Sequence, residues 1–275
     1  QILDANNQRP AFWLRVNQRQ SSTDDYRALL AENAIESELS ALADHALKLS
    51  QGIDVRLLPG FADGVVSVQD AGAQLAAKLL NASDGQAVLD LCAAPGGNTC
   101  HVLEQNSALK RMLAVEVDEK RMRRVIENLQ RLKLDAELLV ADASDRELWW
   151  DGKKFDRILI DAPCSASGVI RRHPDIKSLR RETDIAVLVE LQEKILSSAW
   201  QMLAEGGELL YVTCSVFKAE NQKQIASFLA KTPDASEIKI EESWGEECDF
   251  GRQLLPGEED ADGFYFCRLM KVAEK

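Results

Sequence analysis

The sequence lacks any run near the roughly 20 apolar residues that cross a bilayer as a helix, so no membrane span is expected. It has no basic-then-apolar opening, so no secretory leader is expected either. It does not begin with Met: Gln1 predicts a processed chain or a piece of something longer. The six cysteines, at 92, 100, 164, 214, 248 and 267, fit no metal-ligand spacing, and no histidine stands close enough to complete one. Without a secretory signal they predict reduced thiols in a cytoplasmic protein, most of them core filler, and neither a metal centre nor a disulfide framework. Internal repeats, low-complexity tracts and a GxGxxG turn are missing as well.

What is present is ordinary for a globular chain: 275 residues, 45% apolar and 28% charged. The formal charge of −12 argues on its face against a nucleic-acid partner. Its distribution argues otherwise. Residues 237–262 carry ten acids against two bases, whereas "RRHPDIKSLRR" (171–181) carries five bases against one acid. A second basic stretch runs from Lys120 to Arg131. An acidic chain can still offer one basic face.

From about residue 85 the pattern reads strand, turn, helix, repeated: "AVLDLC" (87–92), "RMLAVEV" (111–117), "ELLVAD" (137–142), "RILID" (157–161) and "ELLYVTC" (208–214) as strands. Near-continuous apolar strands between amphipathic helices predict a doubly wound, mostly parallel α/β sheet. "EIKIEE" (237–242) and "GFYFCRLMK" (263–271), joined by an acidic loop, predict an antiparallel hairpin at one edge. Residues 1–64 break the rhythm and predict a small α/β subdomain, with 65–275 as the main domain. Within it, 12–17 reads as a strand, 23–33 as a capped helix and 53–60 as a strand ended by Pro-Gly, while 36–49 fits helix or strand.

Ligands of such sheets bind at the C-terminal strand ends. There the sequence places "CAAPGGN" (92–98), a small-residue turn into a helix, then Glu116, Asp142 and Asp161 at three successive strand ends. The turn alone is equally a tight strand-to-helix connection, and any one acid is equally a helix cap. Together they predict an adenosyl-type ligand, with Glu116 accepting from the ribose hydroxyls. Cys164 and Cys214 also end strands, and each reads as nucleophile, helper or small filler.

The motifs "DLCAAPGGNT", "DAPCSASGVIRRHPDIK" and "YVTCSVFKAEN", in this order and spacing, resemble the Sun/Fmu (RsmB-like) family of S-adenosylmethionine-dependent RNA 5-methylcytosine methyltransferases. "GVIRRHPDIKSLRR" resembles its bacterial branch acting on 16S ribosomal RNA. The likeness also takes in "LPGFADGVVSVQDAGAQ" (58–74) and "DGFYFCRLMK", so it spans essentially the whole chain. It implies a Rossmann-like seven-stranded methyltransferase sheet preceded by an RNA-recognition-like subdomain, without the NusB-like N-terminal domain of longer members. It implies that S-adenosylmethionine is held by Cys92, Ala93, Ala94, Pro95, Gly96, Gly97, Asn98, Glu116, Asp142 and Asp161. It further implies Cys214 as nucleophile, Cys164 as the residue assisting release, and Asp161 against the cytosine edge. Arg171, Arg172, Lys177, Arg180 and Arg181 become candidates for RNA phosphates, and a monomer is expected. The family usually has Lys where this chain has Asn98. An amide keeps a hydrogen bond but not the charge, so a weaker hold on an anionic group is expected.

Two other readings compete. A nicotinamide oxidoreductase shares the sheet but leaves the Pro-Cys and Thr-Cys pairs without a purpose. A catalytically impaired RNA-binding module explains the basic stretch and the small subdomain, but not both cysteines and all three acids.

Overall fold

The computed structural model describes residues 2–272. The chain forms a short helix α1 (Ile2–Ala5), strand β1 (Phe12–Val16), helix α2 (Thr23–Glu32), β2 (Ser37–Leu39), β3 (Ala46–Leu49) and β4 (Val66–Val68). These four strands pair antiparallel in the order β2-β3-β1-β4. Ser22 starts α2 by accepting the Asp25 N–H at 3.1 Å. Tyr26 and Leu30 of that helix then bury against Leu14, Val16, Leu47 and Val66.

Three expectations change here. Residues 53–60 are not a strand: the Asp54 carboxylate accepts the Arg56 N–H at 3.0 Å and winds Val55–Leu57 into a 3-10 turn. The ambiguous stretch 36–49 holds two strands. The fourth strand lies at 66–68, past residue 64 where the small unit was expected to end.

Helix α3 (Ala71–Leu80), unanticipated in the sequence, is capped by Asp70 and leads into the larger sheet. There follow β5 (Ala87–Leu91), α4 (Gly97–Gln105), β6 (Arg111–Glu116), α5 (Glu119–Leu132), β7 (Glu137–Val140) and β8 (Phe155–Asp161). Then come α6 (Ile176–Leu179), α7 (Glu182–Met202), β9 (Leu203–Thr213), α8 (Gln222–Lys231), β10 (Ala235–Ile238), β11 (Glu246–Glu247), β12 (Arg252–Leu254) and β13 (Phe264–Lys271). The order is β11-β12-β13-β9-β8-β5-β6-β7, with β10 also on β13. Strands β5 to β9 run parallel, and β13 runs against β9. Every residue of β5 is buried, because helices cover both faces.

The expected edge hairpin is shorter than its sequence suggested. Strand β10 pairs with β13 only from Ala235↔Lys271 to Ile238↔Arg268, and β12 continues the same edge at Leu254↔Phe264. The acidic segment therefore supplies strands of its own.

The chain leaves β5 for β6 and β7 on one side, then returns to β8 on the other. Strand order reverses between β5 and β8, so a crevice opens at their C-terminal ends. A buried ion network lies at the same C-terminal end, between the loop after β8 and the start of β13: Arg171 donates to Asp262 at 2.6 Å, and Arg172 to Asp70 at 2.8 Å and to Asp262. Asp262→Ala leaves the buried Arg171 guanidinium with only the Asp260 carbonyl at 2.7 Å and Asp70 at 3.9 Å, and is expected to cost about 3 kcal/mol. Urea unfolding reads this as a lower midpoint at unchanged slope, and an unchanged midpoint would show the network to be idle.

Candidate active site

A cavity of about 400 Å³ lies over the β5–β8 crevice, lined by Cys92 and Ala94, Glu116 and Val117, Asp142, Asp161, Cys164 and Cys214 among others. Of the expected turn, Cys92 and Ala94 line it, while Ala93, Pro95, Gly96, Gly97 and Asn98 do not. The turn is shaped by its backbone. Cys92 is left-handed (φ 63°), a conformation costing a non-glycine residue on the order of 1 kcal/mol, and Gly96 (φ 95°) starts α4. Asn98 is nonetheless close: its Nδ2 donates to Asp161 Oδ2 at 3.1 Å.

The three expected acids differ in setting. Glu116 is buried and accepts the N–H groups of Ala94 at 3.3 Å and Asp118 at 3.1 Å, with Arg121 at 3.3 Å across it. Asp142 is exposed and accepts from the Ser144 backbone and hydroxyl at 2.8 and 2.7 Å. Asp161 is pushed up to about 6 by burial, opposed by the Asn98 hydrogen bond and the Arg121 charge. Sequence reasoning missed Asp90, a buried carboxyl inside β5. Burial pushes it up to about 7, against the hydrogen bond from Thr99 and with the Asp161 and Glu116 charges adding.

The two thiols meet. Cys164 Sγ and Cys214 Sγ are 3.4 Å apart, carried by the loops that follow neighbouring strands β8 and β9. The Cys164 sulfur, then burial and the Asp161 charge, push the Cys214 thiol well above its ordinary range. Among the described residues lining the cavity, Arg121 is the one cation. These surroundings favour the protonated thiol at Cys214.

Glu220, which sequence reasoning quoted inside "FKAEN" without a role, joins the two loops from beneath. Its carboxylate accepts the Ser165 N–H at 2.8 Å, the Ser165 hydroxyl at 2.6 Å, the Gln192 amide at 3.1 Å and the Ser215 hydroxyl. Gly168 completes the contact, its N–H donating to the Cys214 carbonyl at 2.8 Å. A Cβ there would stand 2.2 Å from the Gly263 carbonyl oxygen, so no side chain fits.

The basic stretch divides. Arg171 is buried in the ion network with Asp262, and Arg172 is half-buried in it, so Arg171 does not face outward as expected. Its charge is consumed in closing the fold. Lys177, Arg180 and Arg181 are exposed and border a second cavity of about 550 Å³, with Ser167, Ile170 and Phe217. Arg131, in the other basic stretch, is also internal, donating to the Phe61 and Val66 carbonyls at 2.9 Å.

A family model described as 16S rRNA methyltransferase RsmB/F matches residues 77–270, and a ferredoxin-like domain of RsmF/B-like methyltransferases matches residues 1–56. The chain belongs to the RsmB/F methyltransferase family. It is 52% identical over 272 residues to ribosomal RNA small subunit methyltransferase B of Pseudomonas putida, and 50% identical to that of Vibrio vulnificus. Each match takes in 99% of this chain but 62% of the relative, so the chain spans under two thirds of the curated relatives it matches. A solved methyltransferase homologue from Pyrococcus horikoshii is 26% identical, with a TM-score of 0.85 over 98% of this chain and 90% of that one. NSun6 from the same organism, solved with SFG, shares the fold at 19% identity and TM-score 0.86, over 99% and 94% of the two chains.

The sheet is Rossmann-like as expected but has nine strands rather than seven, because the acidic segment adds β11 and β12 beside β13, and the small antiparallel sheet lies ahead of it. Among the described residues no helix is long and apolar enough to cross a membrane, and no cluster of His, Cys, Asp and Glu is arranged to hold a metal. The donor set of the cavity fits an adenosyl cofactor bearing a cation: a buried carboxylate at the end of β6, apolar Val117 and Ala143 beside it, and a surplus of acids.

The site's acids make stability depend on pH. Asp90 titrates higher when folded than its ordinary value, so its contribution is complete in acid and lost as pH rises through about 7. Asp90→Asn keeps an acceptor for Thr99 and removes that loss. We expect it to leave stability at pH 4 nearly unchanged and raise it at pH 8 by on the order of 3 kcal/mol, read by denaturant unfolding at both pH values. Equal effects at both would contradict the assignment.

Proposed function

We propose that this chain transfers a methyl group from S-adenosylmethionine to carbon 5 of a cytosine in 16S ribosomal RNA, through a covalent bond between Cys214 and carbon 6. The observation that carries the reading is the 3.4 Å approach of two strand-end thiols on one cavity wall, with Asp161 lining the same space. A nicotinamide oxidoreductase gives no reason for that pair, and a binding module has no use for it.

S-adenosylmethionine, when bound, supplies an electrophilic methyl group and a positive sulfonium. Glu116 accepts from its ribose hydroxyls, and Cys92, Ala94 and Asp142 complete its bed. Cytosine must leave its stack to enter the cavity. Cys214 loses its proton to solvent and adds to carbon 6 as thiolate, and the displaced electron pair makes carbon 5 nucleophilic. Asp161, raised to about 6 by burial, bonds the pyrimidine edge and in its protonated form offsets the negative charge developing in the ring. After methylation the carbon 5 proton passes to solvent, the double bond re-forms, and Cys214 leaves carbon 6 as thiolate. Cys164 assists this last step. Lys177, Arg180 and Arg181 hold the flanking phosphates, which positions the RNA without reading its sequence. Arg172 is left as a partial contributor, and Arg171 is withdrawn.

Cys164→Ala is expected to trap the adduct. After incubation with 16S ribosomal RNA and S-adenosylmethionine, a slow-migrating protein–RNA band on a denaturing gel should appear, and vanish in Cys164→Ala/Cys214→Ala. An adduct in Cys214→Ala that is absent from Cys164→Ala would exchange the roles. No adduct in any variant and no methyl transfer by the unmodified chain would favour the RNA-binding module.

A further inference from the structure

Asp161 receives one side-chain donor among the described residues, the Asn98 amide, and that amide is itself held from elsewhere. Arg15, on β1 of the small sheet, is buried and donates to Glu104 of α4 at 2.8 and 2.9 Å, to the Gly97 carbonyl at 2.9 Å, and to Gln69 Oε1. Gln69 Nε2 donates to Asn98 Oδ1 at 3.3 Å, and Asn98 Nδ2 donates to Asp161 Oδ2 at 3.1 Å. Chemistry fixes the direction of this chain. A guanidinium can only donate, so Gln69 must turn its oxygen toward Arg15 and its NH2 toward Asn98. Asn98 must then present its oxygen to Gln69, which leaves its NH2 for Asp161.

We propose that Gln69 is a positioning residue for Asp161, acting through Asn98, and that Arg15 sets which way its amide points. The relay does by orientation part of what a cation at position 98 would do by charge. It also makes the seating of β1 on α4 a condition for the environment of Asp161. The inference rests on the methyl-transfer reading for its consequence, but not for its test.

The groups facing Asp161 are Asp90 and Cys92 from β5 and the turn after it, Glu116 from β6, Asp142 beyond β7, Arg121 from α5, and Cys164 and Cys214. None of them changes in the variants used. Gln69→Met keeps the bulk, removes both polar ends, and leaves Arg15 with Glu104 and Gly97. Arg15→Ala would strand buried Glu104, so Arg15→Lys, which keeps a cation there but loses the fork, replaces it.

The readout is the titration of the Asp161 carboxyl carbon by 13C NMR in the free chain, assigned with Asp161→Asn. Losing a donor to the ionised form raises a carboxyl's midpoint. Asn98→Ala and Gln69→Met should each move the Asp161 midpoint upward from about 6, by roughly one pH unit, a tenfold change in the proton equilibrium. Arg15→Lys should move it the same way. Gln69→Met/Asn98→Ala should match Asn98→Ala alone, because two links of one chain are not additive. A midpoint unmoved in Gln69→Met, or shifts that add in the double variant, would overturn the relay. If the chain methylates RNA, its pH–rate profile should follow the same displacement. If the unmodified chain methylates nothing, the function fails while the titration still decides the relay.

Discussion

One buried carboxylate, Glu220, accepts hydrogen bonds from both cysteine-bearing loops and from α7, and the geometry of the thiols follows from it. Each loop leaves the end of a parallel strand, where the backbone runs out of ladder partners and must find others. Ser165 and Ser215, one residue beyond Cys164 and Cys214, take those partners from the same anion. Two adjacent parallel strands therefore deliver their next residues to the same point, and the sulfurs end 3.4 Å apart. A site that needs two thiols at one carbon–carbon bond needs this kind of anchor, because loops alone do not hold such a distance.

Around the thiols the site is electrostatically one-sided. Asp90, Glu116, Asp142 and Asp161 crowd near a cavity whose lining, among the described residues, carries the single cation Arg121. Burial raises Asp90, Cys92 and Asp161, the Cys164 sulfur and then burial raise Cys214, and neighbouring acid charges add to the rise at Asp90, Cys92 and Cys214. Such surroundings favour a positively charged ligand and disfavour a free thiolate at Cys214. The same field stabilises the folded chain in mild acid rather than at neutral pH.

The parallel sheet was legible because β5, β6, β8 and β9 are apolar runs whose period needs no tertiary context. The strand-end acids and both cysteines were legible because topology puts strand ends together. Other features were hidden for physical reasons. The 3-10 turn at 55–57 depends on one side-chain bond from Asp54 that overrides a strand-like composition. Helix α3 follows a short strand and an unremarkable Asp cap. Arg171 and Arg172 look like surface cations until the acids they meet, Asp70 and Asp262, arrive from about 100 and 90 residues away in the chain. Gln69 and Glu220 carry no local signal, since their roles exist only in the contacts.

The chemistry assigned to Cys214 is tested most directly by isotope release. With RNA carrying tritium at cytosine carbon 5, the unmodified chain is expected to release one tritium for each methyl group transferred, and Cys214→Ser to do neither. Methyl transfer that leaves the tritium in place would contradict addition at carbon 6 and methylation at carbon 5.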